Sequence, residues 1–254
     1  MTEHQSRVAE LLKSLETGDT KPFAHIDADK FVQHMVTVAD GLAGFRSFFR
    51  LVPKGKTKVR TVRMFQDGEF VFAHSDYELL GPKVGFDIVR FERETIVEHW
   101  SNLQEKVLRQ NPSGHTMVDG PTEPTELTKT DANKTLVRAF VHDILVNGRM
   151  ERLAGYFDGD RYTQHNPTIG DGLSGLGAAR ESLSKQGIVM KYDRIHRVLG
   201  EGSFVLVVSE GTLGGLHTSF FDLFRVDNGR IAEHWDTIEP IAPRAQWKNS
   251  SGKF

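Results

Sequence analysis

The feature that most constrains this chain is that it repeats itself. Phe31-Val32-Gln33-His34 recurs as Tyr162-Thr163-Gln164-His165, 131 positions later, and Asp40-Gly41-Leu42 recurs as Asp171-Gly172-Leu173 at the same spacing. Residues 63–75 then align with 197–209 at an offset of 134. Phe86-Asp87-Ile88-Val89-Arg90 meets Phe221-Asp222-Leu223-Phe224-Arg225 at 135, and Ile96-Val97-Glu98-His99-Trp100 meets Ile231-Ala232-Glu233-His234-Trp235 at 135. Blocks in one order at a nearly constant offset are the mark of a duplication, so each copy must find its own version of one fold. The boundaries follow: copy one over 1–112, copy two over 131–254, and a connecting segment over 113–130. That segment holds Pro121 and Pro124 among Ser, Thr, Gly and Asp, the composition of a linker, with packing against a copy rather than floating as the alternative.

The order of elements within a copy gives the fold class. Apolar residues at three-and-four spacing predict helices over 8–15 and 136–145, with Gly18 and Gly148 as stops. A short helix is expected over 150–157, and another after each Asp-Gly-Leu, over 44–51 and 176–186. Four strands close copy two, over 192–199, 204–211, 218–226 and 230–237. Asp227-Asn228-Gly229 separates the last two and is a hairpin signal, because Asn-Gly supplies the positive φ such turns need. In copy one Glu92-Arg93-Glu94 takes that place. Helices followed by antiparallel strands make an α+β fold rather than a parallel βαβ one.

Composition excludes several chemistries. There is no cysteine, which removes disulfides, thiolate catalysis and zinc–thiolate sites, and fits a reducing cytoplasm. A net charge of -2 offers no basic face for nucleic acid. No run approaches the ~18 apolar residues of a membrane span, and the charged N-terminus lacks a signal-peptide core. The expectation is a soluble cytoplasmic protein.

Tyr162-Thr163-Gln164-His165-Asn166-Pro167, Asp171-Gly172, Phe221-Asp222-Leu223-Phe224-Arg225, Gly229-Arg230-Ile231 and Glu233-His234-Trp235-Asp236 together resemble the SnoaL-like branch of the nuclear transport factor 2 (NTF2-like) superfamily, a branch described as predicted aldol-condensation enzymes. The resemblance implies two tandem cones, each a helix pair over a strongly bent antiparallel sheet with a ligand pocket between. It also implies association through the outer sheet face, here as a pseudo-dimer within one chain, with further homodimerisation open. It does not name a reaction, because the fold carries many.

Candidate residues are those pointing into a cone. Asp222 and Asp87 sit in strands among apolar neighbours, where a carboxylate must be paired, hydrogen-bonded or protonated. Ketosteroid isomerases of this fold use such an aspartate as a protonated donor to an oxyanion, and Asp87-Ile88-Val89-Arg90-Phe91 is similar to their pattern. A salt-bridged structural aspartate is the alternative. His234 and Asp236, two apart on a strand, project together as a base with its orienting carboxylate. In copy one His99 has Ser101 in that place, which breaks the dyad. His165 and His34 are read as substrate contacts at the cone mouth, or as braces for the following loop. His74 exists only in copy one, since Val208 aligns with it, while copy two keeps Asn166, Pro167 and Asp236. Trp100 and Trp235 are substrate-side candidates whose bulk equally suits packing. His34, His74 and His99 lack the close spacing of a metal motif, so neither metal nor cofactor is expected.

The chemistry these groups would serve is cofactor-independent acid–base work on a small hydrophobic carbonyl compound: enolate formation leading to aldol or retro-aldol reaction, isomerisation or cyclisation. A non-catalytic module that binds a small molecule or associates with protein is the alternative. Copy two is the more family-like site.

Overall fold

The computed structural model describes residues 1–254. It divides into two units: Met1–Lys106 with Ile241–Phe254, and Val107–Pro240. The fold is α+β in both.

In unit one, α1 (Glu3–Thr17) opens with a capping box in which the Thr2 hydroxyl accepts from the Gln5 amide and Gln5 answers Thr2, and it stops at Gly18 with φ 73°. A 3-10 turn over Lys21–His25 leads to the two-residue strand β1 (Val32–Gln33) and then α2 (Gly41–Leu51). Four long strands follow: β2 (Lys58–Asp67), β3 (Phe70–Glu78), β4 (Pro82–Glu92) and β5 (Thr95–Glu105). They form a sheet of order β1-β5-β4-β3-β2, antiparallel except that β1 lies parallel to β5.

Unit two repeats the plan. Helix α3 (Thr130–Phe140) runs on into a π turn over Val141–Val146, and a 3-10 turn spans Met150–Tyr156. Next come β6 (Thr163–Gln164) and α4 (Gly172–Lys185). The long strands β7 (Met190–Glu201), β8 (Phe204–Leu213), β9 (Leu216–Asp227) and β10 (Arg230–Pro240) complete a sheet of order β6-β10-β9-β8-β7. The Asn228-Gly229 turn has φ of 49° and 72°, the doubly positive backbone of a tight hairpin. The four expected strands lie where periodicity put them, each longer by a few residues. The periodicity does not show β1 and β6, because two residues carry no alternation.

Strand alternation sorts the side chains. In unit one Val71, Ala73, Tyr77, Val89 and Phe91 join α1, α2 and the Phe23 turn in one apolar core. In unit two Val205, Val207, Phe220, Phe224 and Val226 do the same with Val137, Phe140, Val141 and Phe157. The residues between them, such as Phe72, Phe86, Leu206 and Leu223, are equally buried but face the other way.

The structure divides the chain differently from the linear boundaries. Residues 107–130 belong to unit two and 241–254 to unit one, so each unit is completed by the segment that follows the other copy's last strand. Two asparagines anchor these segments. Asn249 donates to Met35 O and Val38 O at 2.7 and 2.9 Å. Asn111 donates to Gln164 O and Ile169 O at 2.6 and 3.0 Å. The expected linker is thus a packed part of unit two, and Thr125 also hydrogen-bonds Ser203 there.

Candidate active site

In unit two, β9 and β10 pair so that Asp222 and Asp236 stand directly opposite each other on the helix-facing side. His234 lies two residues before Asp236 on the same face, and Gln164 pairs beside it from β6. All are buried. Their hydrogen bonds form a chain: His234 Nδ1 contacts Gln164 Oε1 at 2.9 Å, and Nε2 contacts Asp222 Oδ1 at 3.0 Å. The Tyr192 hydroxyl donates to Asp222 at 3.2 Å. Gln164 Oε1 is fixed by the backbone amides of His165 and Asn166, both at 3.0 Å, so it presents an acceptor to the imidazole. His234 therefore spends both ring nitrogens internally, and its carboxylate partner is Asp222 across the strands rather than Asp236 beside it.

Asp236 is the group with spare capacity. Its Oδ2 accepts from Asn166 at 2.7 Å, while Oδ1 is buried without a hydrogen-bond partner. A buried, half-satisfied carboxylate is costly. Burial pushes its pKa above the ordinary value, His234 opposes the rise, and the facing Asp222 adds to it. For His234 burial alone would lower the pKa, but the hydrogen bond to Asp222 and the charges of Asp236 and Asp222 outweigh it and the net shift is upward. Burial and the same two carboxylates hold the Tyr162 and Tyr192 hydroxyls well above their usual range, so both remain O–H donors.

Unit one carries the same chain with one member missing. His99 Nε2 meets Asp87 Oδ1 at 3.2 Å, Gln33 Nε2 contacts His99 Nδ1 at 3.0 Å, and the Tyr77 hydroxyl donates to Asp87 Oδ2 at 2.7 Å. Opposite Asp87 stands Ser101, where unit two has Asp236. The tyrosine comes from another strand in each unit: Tyr77 from β3 and Tyr192 from β7. Gly85 makes room for Tyr77, since a Cβ there would lie 2.5 Å from its ring.

The two cones are also filled differently. In unit one Phe45 of α2 packs edge-on against His99 at 5.9 Å and against Phe23 and Phe31, and Phe49 packs on Phe23 at 4.8 Å. At the matching positions α4 has Leu176 for Phe45, Ala179 for Phe48 and Arg180 for Phe49. Only Gly172 of α4 is fully buried; Leu173 and Leu176 are half-buried and, like Ile195, Leu213 and Ile238, pack on the apolar core.

The remaining expected site residues lie on the opposite side of the sheets. His165 stacks on Trp235 at 4.5 Å and contacts Glu233 at 2.8 Å, and Glu233 is held in turn by Arg225 at 2.7 Å. His34 repeats this with Trp100 at 4.6 Å, Glu98 at 2.9 Å and Arg90 at 2.6 Å. His74 faces Arg63 and Phe86. None of the five (His165, His34, His74, Trp235, Trp100) joins the Asp–His groups, because each occupies the alternate strand position. Gln164, Tyr192 and Tyr162 are the site-side residues to which sequence reasoning gave no role, while Asn166 was noted only as an element kept by copy two. For Gln164 the repeat of Gln33-His34 was a signal, whereas for Tyr192 only strand register reveals it.

The SnoaL-like domain family matches residues 137–234. No curated protein matches the chain. Similar solved structures include an LEH-like epoxide hydrolase of M. tuberculosis, with 26% identity over 44% of this chain and 85% of that one, TM-score 0.34. Another is IdmH, a candidate polyketide cyclase from Streptomyces antibioticus, with 18% identity over 45% and 96%, TM-score 0.34. A third is a proposed ketosteroid isomerase from Kribbella flavida DSM 17836, with 16% identity over 45% and 83%, TM-score 0.37. No helix is long and apolar enough to cross a membrane. The match to the SnoaL-like domain family lies within the second unit.

Proposed function

We propose that unit two is a cofactor-independent acid–base catalyst acting on a small hydrophobic carbonyl compound. The observation that carries this reading is Asp236 Oδ1: a buried carboxylate oxygen without a protein partner, on the helix-facing side of the sheet, with a raised pKa. Such an oxygen suits removal of a proton next to a carbonyl, since a base with a pKa nearer neutrality gives better proton-transfer driving force. In this reading the roles shift from those the sequence suggested. Asp236 is the base, Asn166 orients it, and the Tyr192–Asp222–His234–Gln164 chain keeps a cationic imidazole beside it. A tyrosine hydroxyl, Tyr162 by position, donates to the enolate oxygen. The half-buried Leu173, Leu176, Ile195, Leu213 and Ile238 supply an apolar wall, which favours an apolar substrate.

Unit one is proposed to be non-catalytic. Ser101 cannot take the proton, and Phe45 stands against His99 where a substrate would lie.

The test is a turnover screen of small ketones, aldehydes and polyketide-like carbonyl compounds, followed by mass spectrometry and by solvent deuterium exchange at the carbon next to the carbonyl. Exchange or conversion that disappears in Asp236→Asn supports the reading. Activity retained in Asp236→Asn overturns it, and thermal stabilisation by compounds that are never converted supports a binding module instead.

A further inference from the structure

The other side of unit two's sheet holds a second cluster that the acid–base reading does not use. His115, Asp119 and His165 each offer one ligand atom, and these atoms lie within 4.8 Å of one another. His115 and Asp119 come from the segment that precedes α3, and His165 from the end of β6. His165 Nδ1 faces Asp119 Oδ1 at 2.6 Å and the Thr116 carbonyl at 2.9 Å, two oxygens that can only accept. Its Nε2 faces a further acceptor, Glu233 Oε1, at 2.8 Å, and the Arg225 contact holds that carboxylate in place. The imidazole is thus surrounded by oxygen acceptors, and Nε2–H donates to Glu233. At 2.6 Å a proton lies between Nδ1 and Asp119 Oδ1, and a metal ion would take its place once the two atoms part to roughly 3.4 Å, the span of two bonds of about 2.1 Å.

The geometry points to a divalent transition-metal site, with Zn2+ as the fitting ion, held by His115, Asp119 and His165, and with the Thr116 carbonyl as a further oxygen. Two imidazoles and a carboxylate are the donor set that Zn2+ takes at about 2.0–2.2 Å. A carboxylate that receives the other ring N–H of a ligating histidine is the usual outer support of such sites, because it fixes the tautomer and makes the ligating nitrogen more basic. Glu233 does this for His165. Asp119 is kept beside His165 by the Thr116 amide, which donates to both its oxygens at 3.1 Å, so binding needs only a small parting of the carboxylate from Nδ1. The site would clasp the 111–119 segment to the β6–β10 edge.

Unit one supplies an internal control. Its tail reads Asn249-Ser250-Ser251-Gly252-Lys253 where unit two has Asn111-Pro112-Ser113-Gly114-His115, so a lysine replaces the first ligand. There His34 Nδ1 meets only the Gly252 carbonyl, at 2.9 Å, and no second imidazole or carboxylate joins it.

The experiment uses the full chain without a histidine tag, stripped with EDTA and titrated with Zn2+ by calorimetry and with Co2+ by visible absorption. One equivalent is expected, with the d–d bands of a nitrogen- and oxygen-ligated Co2+ and a higher melting temperature. His115→Ala and Asp119→Asn, at partly exposed positions that leave the His165–Trp235 stack in place, weaken binding at least about tenfold, while His34→Ala does not. No binding by the wild type means that His165 holds only a proton and overturns the site. Binding unchanged in His115→Ala and Asp119→Asn also overturns it. Loss of binding in Asp236→Asn instead would move the ion to the Asp222–His234–Asp236 group and equally defeat the proposal.

Discussion

The two units share a hydrogen-bond chain and differ in what surrounds it. Tyr77–Asp87–His99–Gln33 and Tyr192–Asp222–His234–Gln164 join the same residue types, a buried aspartate held by a tyrosine and a histidine with a glutamine beside the ring. But Gln33 turns its amide nitrogen to His99, and Gln164 its oxygen to His234. Unit one closes the group off with Phe45 and places Ser101 across from the aspartate. Unit two leaves a second carboxylate, Asp236, only half satisfied, and its α4 carries Leu176 where unit one has Phe45. In the proposed reading the same chain serves as part of a packed core in one place and as the support of a reactive group in the other. A buried network that is fully satisfied specifies structure, whereas one with a spare lone pair stores the cost that a reaction can use.

The largest expected effect tests this contrast directly. On a substrate found by the screen, Asp236→Asn lowers kcat by at least about a hundredfold, the scale of general acid–base catalysis, and Asp222→Asn lowers it as well. Asp87→Asn, the counterpart in unit one, leaves kcat within about twofold of wild type, and a comparable loss there would break the comparison.

Packing gives the next effect. Phe45→Ala removes an aromatic that touches Phe23, Phe31 and His99 and should cost about 3–5 kcal/mol in a denaturant melt. Leu176→Ala, at the matching but half-buried position, should cost about 1 kcal/mol, since less area returns to water.

Proton linkage sharpens the difference further. Asp236 and His234 both have raised folded-state pKa values. The stability each contributes is complete below its unfolded value and is lost as pH rises through its folded one. The wild type should therefore lose melting temperature as pH rises, from 3.8 upward through the Asp236 titration and from 6.5 upward through that of His234. Asp236→Asn should flatten that slope and raise the melting temperature at pH 7 by a few degrees, about what 1 kcal/mol produces in a domain this size. For turnover the sign reverses, because the base must be ionised: the acid limb of kcat rises with pH through a pKa above the 3.8 of an ordinary aspartate. The smallest effect is Tyr192→Phe or Tyr77→Phe, each costing about 1 kcal/mol for one buried hydrogen bond. Only the Tyr192 change should alter the pH profile of turnover.

Particular residues show how much of this was readable from the chain. The Asn228-Gly229 turn, the four long strands of copy two and the placing of Asp222 and Phe224 on one face all follow from local rules: positive φ at the turn and a period of two in a strand. Duplication followed from the spacing of Asp40-Gly41-Leu42 and Asp171-Gly172-Leu173. Asp222, His234 and Asp236 could be nominated together because strand period and polar residues in apolar runs are visible in one dimension.

The rest required the register between strands and the path of the backbone through space. That His234 bonds Asp222 and leaves Asp236 half satisfied depends on β9 and β10 aligning residue 222 with 236. That Tyr192 reaches the aspartate depends on β7, two strands away. That His165 and His34 sit with Trp235 and Trp100 follows once β6 and β1 are docked, since neighbours in a strand must point apart. The segments over 107–130 and 241–254 change units because side chains far along the sequence, Asn111 and Asn249, satisfy carbonyls there. Sequence alone determined which residue types exist and the local conformations they favour; only long-range pairing, which no local preference encodes, decided which of them meet.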